Sequence, residues 1–338
     1  VADKVRWGVL GAAKIALEKV IPAMQRGETS EIVAIASRDG EQARSAADAL
    51  RIEKSYGSYD ELLADAGVEA IYNPLPNHLH VPWSIKAAEA GKHVLCEKPV
   101  GLSVAEVRTL LEARDRTGVL IQEAFMVRTH PQWLGTRELI RSGRIGELRV
   151  VNGFFSYFNR DPANIRNQLP AGGGALLDIG CYPVTISRFI FDSAPRRCLG
   201  LVERDPEMGV DRLTSAILEF DAGRATFTCS TQLVPYQRMS FYGTRGRIEV
   251  EIPFNAPNDR PTRIFVDDGS DPAGGSIETM EFAICDQYTT QCDLFSRAIR
   301  GEIAQTIPLE DALHNMAAIE AVFRSAESGR WEVPLVES

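Results

Sequence analysis

The chain opens with short runs of β-branched and other apolar residues that alternate with amphipathic stretches. Strand runs fall at 5–10, 31–36, 69–73, 93–96 and 119–122, and helical patterns at 15–25, 40–50, 59–65, 81–90 and 103–117. Each helical stretch repeats apolar residues three and four apart, and several end in Gly, as helices packed against a sheet do. This alternation predicts β-α-β units and a parallel, doubly wound α/β sheet. After Gln122 the rhythm changes: a helix over 132–142 leads to a strand run at 148–157 and a glycine-rich break. From 211 to 251, strands follow one another through turns such as Asp221-Ala222-Gly223 and Gly243-Thr244-Arg245-Gly246. That is antiparallel grammar, so the second part is predicted to be α+β. Helices at 286–301 and 309–328 close the chain, and the Pro, Asp and Gly clusters of 255–275 predict a long surface excursion.

With 338 residues, 44% of them hydrophobic and 25% charged, the chain has the composition and length of about two globular domains. The pattern places their division near 122–125. The formal net charge of −9 repels polyanions, so neither nucleic acid nor an anionic membrane is an expected partner, although a small anion can still be bound locally. The cysteines at 96, 181, 198, 229, 285 and 292 contain no C-x-x-C pair, which argues against a zinc site and for reduced thiols in a cytosolic, hence cytoplasmic, setting. Val1-Ala2-Asp3-Lys4 leads into the first strand without a signal-like stretch, and no apolar run is expected to reach membrane-helix length.

The first strand runs into Gly11-Ala12-Ala13-Lys14-Ile15-Ala16. In a dinucleotide fingerprint G-x-G-x-x-G/A, Gly11 fills the first position, Ala13 stands at the second and Ala16 at the third. A helix starting here would offer unpaired N–H groups and partial positive charge to a pyrophosphate. The second strand ends in Ser37-Arg38. NAD sites place an acid at this point for the ribose diol, whereas a 2′-phosphate needs a cation, so the hydroxyl and guanidinium favour NADP. Asp39, one residue on, keeps NAD open as the other reading.

His93-Val94-Leu95-Cys96-Glu97-Lys98-Pro99 carries a buried-strand pattern directly into two charges. Ligands bind at sheet carboxyl ends in such folds, and a lysine there can stabilise a developing alkoxide; a solvated surface lysine is the alternative. In Gly172-Gly173-Gly174-Ala175-Leu176-Leu177-Asp178-Ile179-Gly180-Cys181-Tyr182, a helix beginning near Gly174 would put Asp178 and Tyr182 on one face. Tyr182 could then take an alcohol proton while Asp178 holds substrate or lysine; the alternative is a capping Asp and a core Tyr. His78 and His80 form an H-x-H pair without a third ligand in view, so no metal is expected.

These motifs run in order with Tyr56-Gly57-Ser58-Tyr59, Asn73-Pro74-Leu75-Pro76-Asn77-His78-Leu79-His80, Glu123-Ala124-Phe125-Met126-Val127-Arg128-Thr129-His130-Pro131-Gln132 and Ser325-Ala326-Glu327-Ser328-Gly329-Arg330. The ordered set resembles the glucose–fructose oxidoreductase, inositol dehydrogenase and rhizopine catabolism (GFO/IDH/MocA) family over essentially the full length. The resemblance implies an NADP-binding Rossmann domain over 1–124. It further implies a substrate-binding α+β domain over 125–338 with a large, mostly antiparallel open sheet, through which a homodimer or homotetramer forms. It places the catalytic residues on Lys98, Asp178 and Tyr182. The cofactor is expected against Gly11, Ala12, Ala13, Lys14, Ile15, Ser37, Arg38, Leu75, Pro76, Asn77, His80, Glu97, Lys98 and Arg128, and the substrate against Lys98, Arg166, Asp178 and Tyr182.

Tyr rather than His at 182, the A-x-A variant of the glycine turn and the Ser37-Arg38 strand end look like the branch containing glucose–fructose oxidoreductase, D-xylose dehydrogenase and dimeric dihydrodiol dehydrogenase. The segment Asn164-Ile165-Arg166-Asn167 resembles one in that branch's sugar dehydrogenases. Arg128, His130, Asn159, Arg166 and Asp178 are the polar candidates for a polyhydroxylated substrate. The expected reaction is oxidation of an aldopyranose, of D-xylose or D-glucose type, at C1. The alternatives are a trans-1,2-dihydrodiol dehydrogenase, a glucose–fructose-type oxidoreductase, or a dinucleotide-sensing regulatory protein without catalysis.

Overall fold

The computed structural model describes residues 3–336. The chain forms two compact units. One runs to Met126 and takes back Asp286–Ala312; the other comprises Val127–Cys285 and resumes at Leu313. A single cut after residue 124 therefore does not describe the division, because the chain returns to its first unit late in the sequence.

In the first unit, β1 (Val5–Leu10), β2 (Ser30–Ala36), β3 (Lys54–Tyr56), β4 (Ala70–Asn73), β5 (His93–Cys96) and β6 (Ile121–Glu123) pair in parallel in the order β3-β2-β1-β4-β5-β6. Helices α1 (Ile21–Arg26), α2 (Gly40–Leu50), α3 (Tyr59–Ala64), α4 (His80–Glu89) and α5 (Val104–Thr117) occupy the connections. The strand order reverses beside β1, and such a switch point opens a crevice at the strand carboxyl ends. The helix predicted over 15–25 is not uniform: a π turn at Ala16–Val20 precedes α1. Local chemistry sets the other ends. Ser103 Oγ, for example, accepts from Glu106 N–H at 3.1 Å to cap α5, whose last turn carries Arg114 and Arg116.

One face of this sheet buries Trp7, Val9, Tyr72 and Leu95 against Val20, Ile21 and Met24, and also against Cys292 and Phe295 from α8 (Gln287–Ile299). Trp7 Nε1 donates to Ser296 Oγ at 3.2 Å, and its ring lies 6.0 Å from that of Phe295. Beyond α8, the Arg300 guanidinium donates to both Glu69 carboxylate oxygens and to the carbonyls of Asp3 and Lys4. These bonds hold the Glu69 carboxyl down to about 2. A helix legible in the sequence thus packs where the sequence gives no sign of it.

The second unit is built on β7 (Leu148–Phe158), β8 (Arg197–Arg204), β9 (Asp211–Glu219), β10 (Arg224–Ser230), β11 (Gln232–Gly243), β12 (Arg247–Val250), β13 (Thr262–Asp267) and β14 (Ile277–Phe282). Among the described residues they form one sheet, ordered β14-β13-β12-β11-β7-β10-β9-β8, antiparallel except where β7 meets β10. The expected excursion over 255–275 is corrected by β13, which crosses it and pairs with β12 and β14. This unit also holds α6 (Pro131–Arg141) and α7 (Cys181–Phe191), while α9 (Leu309–Ser328) begins in the first unit and ends in the second.

The stretch Leu169–Phe191, ending with α7, does reach the length and mean hydropathy of a membrane helix, contrary to expectation. Its most apolar window is 94% buried within the fold, so its composition is that of a core segment.

Candidate active site

In the first unit, the glycine turn, the end of β2 and the loop after β4 meet. Gly11 N–H donates to Ala36 O at 2.7 Å, and the residue has φ +84°, a region that L side chains seldom occupy. A Cβ at Gly11 would lie 2.9 Å from Leu75 Cδ2. The first helical bond runs from Leu17 N–H to Ala13 O, so the N–H groups of Lys14, Ile15 and Ala16 precede it. Ala12 and Ala13 are half-buried beside them. This cradle fits a pyrophosphate, with Ala13 accommodated in place of glycine.

At the end of β2, two of the expected ribose-side groups are already engaged. Asp39 Oδ1 caps α2 by accepting from Glu41 and Gln42 N–H at 3.0 and 3.2 Å. Ser37, buried, donates to Gln42 Oε1 at 2.8 Å and accepts from Asp39 N–H. Its expected role as a phosphate donor is replaced by shaping the turn. Arg38 is exposed, and no hydrogen bond or ion pair engages its guanidinium among the described residues.

After β4, Asn73 Oδ1 accepts from Leu75 N–H, and its Nδ2 donates to His80 O and Ser84 Oγ; Pro76 and Asn77 then open a short 3-10 turn. His80 was expected at the cofactor, but its ring is 1% exposed and braced between Pro99 O at 2.7 Å and Leu75 O at 2.6 Å. Burial brings its pKa down to about 4 against the opposing pull of the two carbonyl contacts. His80 therefore supports the loops from behind. Past β5, Glu97 accepts from the Tyr72 hydroxyl at 2.7 Å and from Lys98 N–H at 3.3 Å. Full burial pushes the Tyr72 hydroxyl well above its ordinary value, keeping it a donor. Lys98 stands immediately beyond, at the carboxyl end of the parallel sheet.

In the second unit, Asp178 lies in a π turn, Leu176–Gly180, that leads into α7. The ordinary α spacing assumed for Asp178 and Tyr182 is thereby widened, since π turns bond i to i+5 and often occur at functional sites. Asp178 Oδ2 accepts from the Tyr157 hydroxyl at 2.6 Å and from Arg166 Nε at 3.1 Å. Tyr182, buried in the first turn of α7, packs its ring against Phe155 and Phe254, with centroids at 5.8 and 5.3 Å. Of the polar candidates, Arg166 and Asp178 come together. Arg128 instead stacks on Phe189 at 4.5 Å, His130 Nδ1 accepts from Gln132 N–H to cap α6, and Asn159 Oδ1 closes a turn with Asp161 N–H.

Sequence reasoning missed two residues here. Tyr157 shares the inward face of β7 with Phe155, a period-2 signal that was present. Asp211, which opens β9, accepts from Leu176 N–H at 2.7 Å and from Thr214 Oγ1 at 3.0 Å, so it caps the Asp178 turn from a distant strand. Burial raises its pKa to about 6. The folded chain therefore keeps this proton to a higher pH than the unfolded chain, and stability falls as pH rises from about 4 through about 6. Asp211→Asn should remove that slope. Urea titrations of both proteins should show wild type losing up to about 3 kcal/mol relative to the variant over this range; a pH-independent difference would show that the carboxyl does not titrate there.

A parallel sheet in this order, a glycine cradle at its switch point and a lysine at a strand end, followed by an antiparallel α+β unit, define a dinucleotide-binding oxidoreductase. Residues 5–125 match the GFO/IDH/MocA oxidoreductase family with its NAD-binding Rossmann fold, and residues 133–249 match a GFO/IDH/MocA C-terminal domain. The chain belongs to this family. It is 50% identical to an uncharacterized oxidoreductase of Rhizobium meliloti over 98% of this chain and 99% of that protein. It is 36% identical to D-xylose 1-dehydrogenase (NADP(+)) 2 of Haloferax volcanii over 96% and 98% of the two chains. Among solved structures, a 3-ketoreductase from Actinomadura kijaniata in complex with NADP and TDP-benzene superposes with a TM-score of 0.89 at 27% identity, covering 96% of this chain and 98% of that one.

Proposed function

We propose that this protein is an NADP-dependent sugar dehydrogenase that oxidises an aldopyranose, of D-xylose or D-glucose type, at C1. The observation that carries the reading is the polar cluster at the start of α7, where a carboxylate, a phenol and a half-exposed guanidinium converge four residues before Tyr182. Such a group suits a ligand rich in hydroxyls. Phe155 and Phe254 are buried behind Tyr182, so they support its ring and do not favour an aromatic diol as substrate. The full-length similarity to a D-xylose dehydrogenase supports the same choice.

NADP, when bound, supplies the hydride acceptor at nicotinamide C4. The turn Gly11-Ala12-Ala13-Lys14-Ile15 would take the pyrophosphate, Arg38 the 2′-phosphate, and Leu75, Pro76, Asn77 and Glu97 would flank the rest of the cofactor. Asp178 and Arg166 hold substrate hydroxyls. With the cofactor bound, Tyr182 in its phenolate form would take the C1 hydroxyl proton and become the neutral phenol, the C1 hydrogen would leave with its electron pair to the nicotinamide, Lys98 would stabilise the alkoxide that develops, and the product would be the lactone. Assembly through the sheet face away from α7 is supported by a row of Leu201, Ser215, Thr228 and Phe154, in which Leu201 is 74% exposed; light scattering tests for the dimer or tetramer.

The reading is tested by following NADP reduction with aldoses, inositols and trans-diols. Reduction with aldoses is the expected result; none with aldoses, or a preference for trans-diols, rejects it. In Arg38→Ala the NADPH-over-NADH affinity ratio should fall by about tenfold or more, the loss of one charge-assisted phosphate contact. An unchanged ratio removes Arg38 from the site.

A further inference from the structure

One carboxylate oxygen, Asp178 Oδ2, receives two donors from different parts of the second unit: the Tyr157 hydroxyl from β7 and Arg166 Nε from the loop before the glycines. Burial and the Asp178 charge both push the Tyr157 hydroxyl well above its ordinary value. It is therefore a fixed donor and no rival to Tyr182 as base. Arg166 is raised in turn, first by the Asp178 charge, and stays a cation.

The supports of the cluster are in register. Residues 155 and 157 lie two apart on one face of β7, about 6.7 Å along a strand. Residues 182 and 178 lie four apart, about one turn, on the helical segment made by the π turn and α7. Phe155 meets Tyr182 and Tyr157 meets Asp178, so one strand face braces both Tyr182 and Asp178. The Arg166 loop is closed by its own bonds: Gly174 N–H to Arg166 O at 2.9 Å, Arg166 N–H to Asn164 Oδ1 at 3.1 Å, and Asn167 Nδ2 to Asp161 O at 2.9 Å. The Arg166 side chain ties that loop to the Asp178 turn, and its terminal nitrogens make no other hydrogen bond among the described residues.

We propose that Tyr157 is a positioning residue: its hydroxyl fixes the Asp178 carboxylate, and through that shared oxygen holds Arg166 and its loop in the arrangement that binds the sugar. This rests on the reading of Asp178, Arg166 and Tyr182 as the substrate side. Without the hydroxyl, the carboxylate loses one of the donors that fix its orientation, and Arg166, which shares that oxygen, is held less firmly.

The test uses full-length Tyr157→Phe, with Asp178→Ala as a second way of breaking the latch and Tyr242→Phe, an exposed tyrosine, as control. In Tyr157→Phe the KM for sugar should rise and kcat fall, lowering kcat/KM at least tenfold, while the Kd for NADPH stays within twofold. A purely structural role would lower kcat with the folded fraction at unchanged KM, and would overturn the proposal. Limited trypsin digestion reports the latch without any turnover: cleavage after Arg160 or Arg166 should accelerate at least fivefold in Tyr157→Phe and Asp178→Ala, and not in the control. Unchanged cleavage, or unchanged kcat/KM in an active enzyme, overturns the proposal while leaving the dehydrogenase reading intact. If wild type turns over no sugar, that reading fails separately, and the digestion alone decides whether Tyr157 holds the loop.

Discussion

Lys98→Ala is expected to lower kcat for sugar-dependent NADP reduction by about 10²–10⁴, and Tyr182→Phe by a similar factor, because on the proposed mechanism each removes a group that would act on charge or a proton only as the transition state forms. The two losses should combine to less than their product if both serve one alkoxide. Phe at 182 keeps the ring contacts with Phe155 and Phe254, so melting should move by no more than about 2 °C. Lys98 lies beyond its strand, where removal creates no core cavity. The measurement is steady-state kinetics beside calorimetry on the same preparations. Wild-type turnover in both variants sinks the assignment, and loss of melting in parallel with activity would redirect it to folding.

The second large effect concerns stability. Gly174 has φ +122°, and a Cβ there would overlap Asp211 Oδ1, the carboxylate that caps the Asp178 turn. Gly174→Ala combines backbone strain with displacement of a buried, hydrogen-bonded acid, so a loss of about 3 kcal/mol or more is expected. In a unit of this size that corresponds to a fall in melting temperature of roughly 10 °C. Activity should fall more steeply than stability, because Asp178 and Tyr182 follow directly on the distorted turn. A melting temperature within a degree or so of wild type would mean that the turn relaxes without displacing Asp211.

Both effects depend on features of unequal legibility. The parallel strands were readable because a sheet covered on both faces writes continuous apolar runs, as in Val5–Leu10 and Ser30–Ala36. β3, with three residues, is too short to show a period, and β8 shows no clean alternation because its outward positions mix Leu201 with charges. β13 was hidden among Pro, Asp and Gly, and only its pairing with β12 and β14 reveals it as a strand. In the site, Gly11, Arg38, Lys98, Asp178 and Tyr182 could be singled out because their chemistry is tied to local motifs. His80, Ser37, His130 and Asn159 looked equally chemical, yet their polar atoms are used to hold turns and caps.

The alternation of apolar and polar positions was enough to determine the class of the first sheet, and local motifs located its glycine turn and the candidate reactive positions. Those properties depend on contacts near in sequence or on a period repeated along one element. Tertiary structure alone decided that α8 returns to cover Trp7, that Asp211 caps the Asp178 turn, and that Tyr157 and Arg166 share one carboxylate oxygen. Each of these joins residues far apart in the chain, where burial and hydrogen-bond satisfaction select the partner and no local pattern records the choice.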